Sequence, residues 1–452
     1  MVNEYPVAAN AADLAADLVA AAVAAGADAA DVLYVRDAAT QVSVRLGVLD
    51  DVQRSDGEEI GLRLFIGRRS ASVSSSDLSK DAMRALVDRA VAMAREAPED
   101  PYAGLAPAEL LATGAMPDVD IDDGGAVGPA ELKARALEAE DVARSVPGIT
   151  NSEGGSASGS RATIALATST GFAREYATTA YGCSASVIAG AGGVMQRDYA
   201  SHSARHLVDL EAPATIGRRA ADRTIARLNP TQLPSGRMPV VFDPRVSAGL
   251  LGPLIGAITG AAIARRTSFL LDAMDTQLFA PGIRVVDDPH RVRGLRSRPF
   301  DGEGLPTAAR DIVHDGRLTG WIADSASARQ LGMQPTGHAS RGIGGSPGAG
   351  TTNLHLAAGT LSVEALIADI VLGVWVIELI GSGVNGLTGD YSRGAAGFAI
   401  RNGQLAEPVA EVTIAGNLKT MYRELVPASD LLFRAGTNAP TVRIDGMTVA
   451  GA

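Results

Sequence analysis

Cysteine is almost missing from this chain of 452 residues. Cys183 stands alone, so neither an intramolecular disulfide nor a cysteine-rich zinc cage can form. That usage suits a reducing compartment. Aromatic residues are scarce, at 4%, so packing must rest on small side chains and closely approaching backbones. Basic charge is also short: 40 Lys and Arg face 51 Asp and Glu, a net charge of −11. This argues against a nucleic-acid partner held on a broad basic face. Long apolar runs are lacking. Residues 246–264 carry four glycines and Pro253, and residues 365–384 are interrupted by Asp369 and Glu378. Neither offers the ~20 apolar residues of a membrane span. The opening MVNEYPVAANAADLAADLVAAAVAAGADAAD has no basic segment and reads as an amphipathic helix rather than an export signal. A cytoplasmic protein is expected.

What is present divides into three units, an α+β arrangement of N-terminal α/β units followed by a mostly β C-terminal domain with a buried Gly-rich helix. The first, residues 1–97, has a helix over 10–25 stopped at Gly26, strands at Asp31–Arg36, Gln41–Leu49, Glu59–Ile66 and 71–75, and a helix over Lys80–Glu96. On that helix Met83, Leu86, Val87, Ala90 and Met93 form one stripe. Residues 98–128, rich in Pro, Gly and Asp, form a linker. The second unit, 129–228, opens on a helix from Pro129, continues through a Gly/Ser/Thr-rich β region, and closes on a helix from Pro213. Helix, strands, helix thus occurs twice, although the halves do not align residue by residue. The third unit, 235–452, shows hairpin dipeptides at Asp315-Gly316 and Asn402-Gly403 and helices near 246–264 and 362–372.

The usual catalytic signatures are absent. His202 and His206 have i, i+4 spacing but no adjacent Glu base; on a strand they would sit about 13 Å apart, too far to share one ion. His290, His314, His338 and His355 are scattered singly. Gly155-Ser-Ala-Ser-Gly159 places Ala157 where a nucleophile elbow needs Ser. Gly342–Gly350 lacks the Lys-Ser/Thr ending of a phosphate loop. No catalytic or metal-ligating residue is therefore assigned.

Three features stand out instead. Residues 381–419 hold eight glycines, and within them Thr388, Gly389, Asp390, Tyr391, Ser392, Arg393 and Gly394 form either a binding loop or a tight strand entry fixed by its own polar groups. Asp287, Asp288, Asp301 and Glu303 bracket Arg291, Arg293, Arg296 and Arg298. This set reads as an internal ion-pair network, or as Arg forks that orient a polar or peptide ligand. Gly252, Gly256 and Gly260 recur every four residues, a smooth helix face against which another backbone can lie.

Several long motifs occur in order: VVFDPRVSAGLLGPLIGAITGAAIARRTSFL, DDP…SRPFDGEG, TGHASRG, TNLHL, TGDYSRGAAGF, VAEVTIAGNL and APTVRIDGMTVAG. Together they resemble the TldD/PmbA family, the modulator of DNA gyrase family, and most closely its PmbA/TldE branch. The resemblance covers nearly the whole chain and is strongest from about residue 235 onward. It implies a bacterial cytosolic assembly of two related subunits, TldD and TldE, acting as a zinc-dependent peptidase on peptides and small unstructured proteins. In the TldD branch a helix bearing H-E-x-x-x-H and a cysteine near the C-terminus hold the zinc. Here the corresponding helix, 246–264, offers Gly, Leu and Ile, with Gly252, Gly256 and Gly260 at the degenerate position, and the tail Arg434–Pro440 has no cysteine. The resemblance thus implies no cofactor in this chain, with zinc in a TldD-like partner. An alternative is a stand-alone peptide-binding or regulatory homodimer.

Overall fold

A computed structural model describes residues 10–451; residues 1–9 and 452, and with them the start of the opening segment, lie outside the described residues. Helix α1 (Ala11–Ala24) buries Ala11, Ala15, Leu18, Val19 and Ala22, one stripe at helical spacing. Gly26, at φ 103°, turns the chain into β1 (Ala29–Arg45), followed by β2 (Val48–Ile66), β3 (Arg69–Ser75) and α2 (Lys80–Glu96). Ser79 caps α2 by accepting a hydrogen bond from the Ala82 N–H. Leu86, Val87 and Ala90 are buried as the periodicity predicts, but Val91 and Ala94 complete the stripe while Met93 is 48% exposed.

The strand expected over Gln41–Leu49 is in fact two strands and a turn. Leu46 and Gly47 have φ of 53° and 78°, and β1 doubles back on β2 there. Leucine is a poor residue for a left-handed position. A carboxylate from another element enforces it: buried Glu140 accepts hydrogen bonds from the Leu46 N–H (2.7 Å) and the Gly47 N–H (2.9 Å).

Glu140 lies on α3 (Pro129–Ser145), which leads into β4 (Ile149–Thr168), β5 (Ala173–Ala189), β6 (Gln196–Ala204) and α4 (Pro213–Ala226). The first two units share one six-stranded antiparallel sheet, ordered β3-β2-β1-β4-β5-β6, so they are not separate layers. Val32, Tyr34, Val42 and Val44 of β1 share a face by alternation. The first two pack with α1 and α2, the last two with α3 and α4.

In the C-terminal unit β7 (Gly236–Phe242), β8 (Leu372–Ile380), β9 (Asp390–Arg401), β10 (Gln404–Asn417) and β11 (Val442–Ala450) close on one another. The order is β10-β9-β8-β7-β11, and β10 pairs again with β11. Asn402-Gly403, at φ 48° and 77°, makes the β9–β10 turn. Helix α5 (Leu251–Ile258) buries Leu251, Leu254, Ala257 and Ile258 in this unit's core. The single helix expected over 246–264 is broken: Thr259 adopts ψ 139° and its hydroxyl caps a new turn through the Ala262 N–H. Hydroxyl side chains compete with helical backbone in this way. The helix expected over 362–372 is likewise confined to Val363–Ile367, after which the chain enters β8.

A buried ionic clamp joins the N-terminal sheet to the C-terminal unit. Asp31 on β1 accepts from the Nε of Arg63, its register partner on β2, at 3.2 and 3.1 Å, and from Arg341 of the C-terminal unit. Beside it, an alanine at Gly61 would put its Cβ 1.8 Å from the Ile343 carbonyl oxygen. No helix among the described residues is long and apolar enough to cross a membrane.

Candidate functional site

The tail at 434–440 and the helical segment beginning at Pro244 converge. Ser247 donates to the Pro440 carbonyl at 2.8 Å, and Ala439 packs in the same core as α5. Asn438 folds the tail by accepting from the Arg434 and Ala435 N–H groups. Above this junction three connected concavities run between the β6/α4 side of the first sheet and the C-terminal unit. One holds His202, Arg291, Phe433 and Arg434; the next holds Arg219, Arg223, Arg245, Trp375 and Asp430; the last holds Arg197, Arg227, Glu378 and Arg393. Arg434 and Ala435 are shared by the first two, Tyr199 and Arg245 by the last two, making one trough.

Each carboxylate at the centre of the trough is already engaged. Asp198 on β6, only 2% exposed, takes a two-pronged contact from Arg245 (2.6 and 3.1 Å), with Arg227 at 3.5 Å. Burial pushes its carboxyl up, but the hydrogen bond and charge of Arg245, with Arg227, outweigh burial and hold it below the ordinary value. Glu211 pairs with Arg219 and Arg434, both at 2.8 Å; against the upward push of burial these arginines bring it down to about 2. Asp243 caps the Arg245 N–H at 2.9 Å and accepts from the Trp375 indole at 3.2 Å. Asp430 accepts from the Thr441 N–H and hydroxyl. His202 accepts from the Glu211 N–H at 3.1 Å, and burial lowers its pKa. None of these groups is poised as a free base.

The residues do not fit zinc. Among the described residues no three His, Cys, Asp or Glu side chains cluster so as to hold a metal ion. Gly252 and Gly256 are exposed, with open space where a side chain would start, while Gly260 is buried against Ser327. The three glycines therefore do not make one continuous face. His202 and His206 have different neighbours: His206 sits on the Asp120 carbonyl and carboxylate at 3.0 and 3.1 Å. Cys183 is buried on β5, where burial pushes its thiol up to about 11. A low-pKa thiolate nucleophile is not available there.

The expected arginine–carboxylate network over 287–303 does not form. Asp287 accepts from the Thr352 N–H and hydroxyl, with His338 at 3.5 Å, and Asp288 accepts from the His290 N–H. Asp301 takes the Glu303, Leu305 and Ala339 N–H groups. Glu303 takes the Ser325 N–H and hydroxyl at the start of α6 (Ser325–Leu331). Arg298 donates to the Ala339 carbonyl, and the Arg296 backbone N–H donates to Asn353. Arg293 reaches out of the segment to Asp120 and Asp209. The carboxylates organise loop backbone, while Arg293 alone of the four arginines reaches another unit and Arg291 and Arg298 stay within the C-terminal one. Of this segment, Arg291 through Leu295 line the trough.

The 388–394 loop is a tight strand entry. Thr388 donates to Asp390 at 2.6 Å, Asn417 donates to the Thr388 carbonyl and to Asp390, and Gly389 turns at φ 79°. Tyr391 is buried, and Asp390 through Gly394 already belong to β9. Asp390, Tyr391 and Ser392 line a separate open hollow with residues 382–387; only Arg393 reaches the trough. Sequence reasoning missed Asp198, Tyr199, Arg223, Arg245 and Trp375. One signal was available: Asp243-Pro244 is an N-cap followed by an N1 proline, which marks the start of the helical segment at the trough.

Comparison with known proteins now bears on this geometry. Residues 30–94, 122–228 and 235–451 match, in order, domain 1, the central domain and the C-terminal domain of the PmbA/TldA metallopeptidases. The chain belongs to the PmbA/TldD family. The protein named metalloprotease PmbA from Escherichia coli O157:H7 is 39% identical over 426 residues, 94% of this chain and 92% of that protein. A PmbA homologue from Haemophilus influenzae is 33% identical, covering 95% and 94%. The crystal structure of a candidate modulator of DNA gyrase from Bacteroides thetaiotaomicron aligns with TM-score 0.89 at 27% identity, over 97% of this chain and 98% of that one. TldE from Thermococcus kodakarensis, at 20% identity, shares the fold with TM-score 0.87 over 96% and 99% of the two chains. The trough therefore lies in a PmbA/TldD-family fold, between its central and C-terminal domains.

Proposed function

We propose that this chain is the PmbA/TldE-type, non-catalytic subunit of a zinc metallopeptidase whose metal is held by a TldD-like partner. Its role is to wall the chamber in which peptides and unstructured proteins are cleaved, with the trough as its part of that wall. One observation carries the reading. The helical segment and the tail that the resemblance marks as metal-bearing in the catalytic branch do converge, yet they meet through Ser247 and the Pro440 carbonyl. The carboxylates above them are paired with guanidiniums or backbone. Catalytic zinc requires three protein ligands and an open position, and this junction offers no such set. The absence of such a set at a junction that keeps the family's architecture is what supports a non-catalytic role.

The mass of a mixture with a family member that carries H-E-x-x-x-H tests this reading. A mixed complex is expected at micromolar concentration. Recovery of the two chains only as separate species, or as homodimers, would contradict it.

A further inference from the structure

The charge of the trough is at odds with that of the chain. In a protein of net charge −11, four arginines along the trough have no carboxylate within ion-pair distance among the described residues. Arg205 is satisfied instead by the Thr178 hydroxyl and the Thr179, Gly294 and Leu295 carbonyls, which leaves Arg223, Arg393 and Arg291. Arg223 donates only to the Tyr199 carbonyl, at 3.2 Å. Arg393 donates to the Ile380 carbonyl at 3.3 Å. Arg291 lies over the Phe433 ring, 3.3 Å from its centroid. They are distributed over the three connected concavities, one in each.

We propose that the trough selects extended peptide segments rich in acidic side chains, with Arg223 and Arg291 as its specificity-determining groups. The proposal rests on the peptide-handling role above and names the substrate class for the same site. A half-buried guanidinium with one carbonyl or ring contact and no counter-ion has lost part of its hydration and recovered only some of it. A ligand carboxylate restores that loss through a forked, charge-assisted pair. Burial, and then the charge of neighbouring Arg245, lower the pKa of Arg223, so an incoming carboxylate also relieves repulsion between two cations. Stacking on Phe433 occupies the face of the Arg291 guanidinium and leaves its N–H edge for an acceptor.

A peptide fits better than a nucleic acid. Asp243, Glu364, Glu378 and Asp430 are interleaved along the same walls. A polyphosphate, charged at every residue, would have to pass them, whereas a peptide can set its carboxylates against the arginines and neutral residues elsewhere.

The test uses the full chain alone and the fluorescence anisotropy of one labelled Gly/Ser peptide in Glu, Gln and Lys versions. The Glu version is expected to bind about tenfold more tightly than the Gln version, the scale of one or two charge-assisted contacts. Arg223→Gln and Arg291→Gln should each shrink the Glu-over-Gln ratio and leave the melting temperature near the parent's. Arg84→Gln, on the far exposed face of α2, should change nothing. Equal binding of the Glu and Gln versions, an intact preference in the Arg223→Gln/Arg291→Gln double variant, or tighter binding of a single-stranded oligonucleotide would overturn the proposal. Failure to assemble with a zinc-bearing subunit would contradict the proposed function and not this preference. Loss of the preference with assembly intact would contradict this inference alone.

Discussion

Asp31→Ala should lower the free energy of unfolding by about 3–5 kcal/mol, because it strands two guanidiniums in a site that water does not reach. Asp31 is 1% exposed and bonds Arg63 and Arg341, whose side chains are 6% and 1% exposed. Urea denaturation is the direct measurement, and a loss below about 1 kcal/mol would mean the clamp is not what joins the sheet to the C-terminal unit. The pH dependence has a fixed sign. Burial pushes the Asp31 carboxyl up, but Arg63 and Arg341 outweigh burial and hold it below its ordinary value of 3.8. A depressed carboxyl contributes stability above that ordinary value, and the contribution disappears as pH falls through the lower, folded value. The difference between wild type and variant should therefore narrow only in acid.

Glu303→Gln should act in the opposite direction. Burial, helped by the charge of Asp301 and opposed by the Ser325 hydrogen bonds, pushes the Glu303 carboxyl up from 4.5 to about 7. The folded protein then holds a proton that the unfolded chain releases between those values, so stability falls as pH rises through the window. A glutamine amide oxygen can accept the same two Ser325 hydrogen bonds without ionising. The variant should match wild type closely near about pH 5 and exceed it by about 2–3 kcal/mol near about pH 8, following the size of the shift. Thermal denaturation at the two pH values measures this. Equal stability of the two proteins at both would show that Glu303 titrates without cost in the fold.

The sequence carried the elements wherever local chemistry and tertiary packing agree. Helix α2 begins after a serine cap, α3 and α4 begin on prolines, and the Asn402-Gly403 and Asp315-Gly316 turns use residues that tolerate positive φ. It failed where a distant group decides. Near Leu46 only Gly47 hints at a turn, and the carboxylate that holds Leu46 in a left-handed conformation is Glu140, far along the chain. Thr259 looked like one more residue in an apolar helix until its hydroxyl capped the next turn. The site was less legible still. Charge pairing read along the chain linked Asp287–Glu303 to the nearby arginines, but burial gave those carboxylates to backbone amides and sent Arg293 to Asp120. Long motifs fixed the family, whereas the trough is assembled from β6, α4, the Asp243–Gly249 stretch and the 430–441 tail, whose residues only the fold brings together.

Zinc content and peptide cleavage, measured on a preparation of this chain free of every family relative, test the central claim most directly. The account predicts no stoichiometric zinc and no chelator-sensitive cleavage of an unfolded peptide, with both appearing once an H-E-x-x-x-H subunit is added. Zinc bound at one equivalent together with robust, chelator-sensitive cleavage by the solitary chain would contradict it.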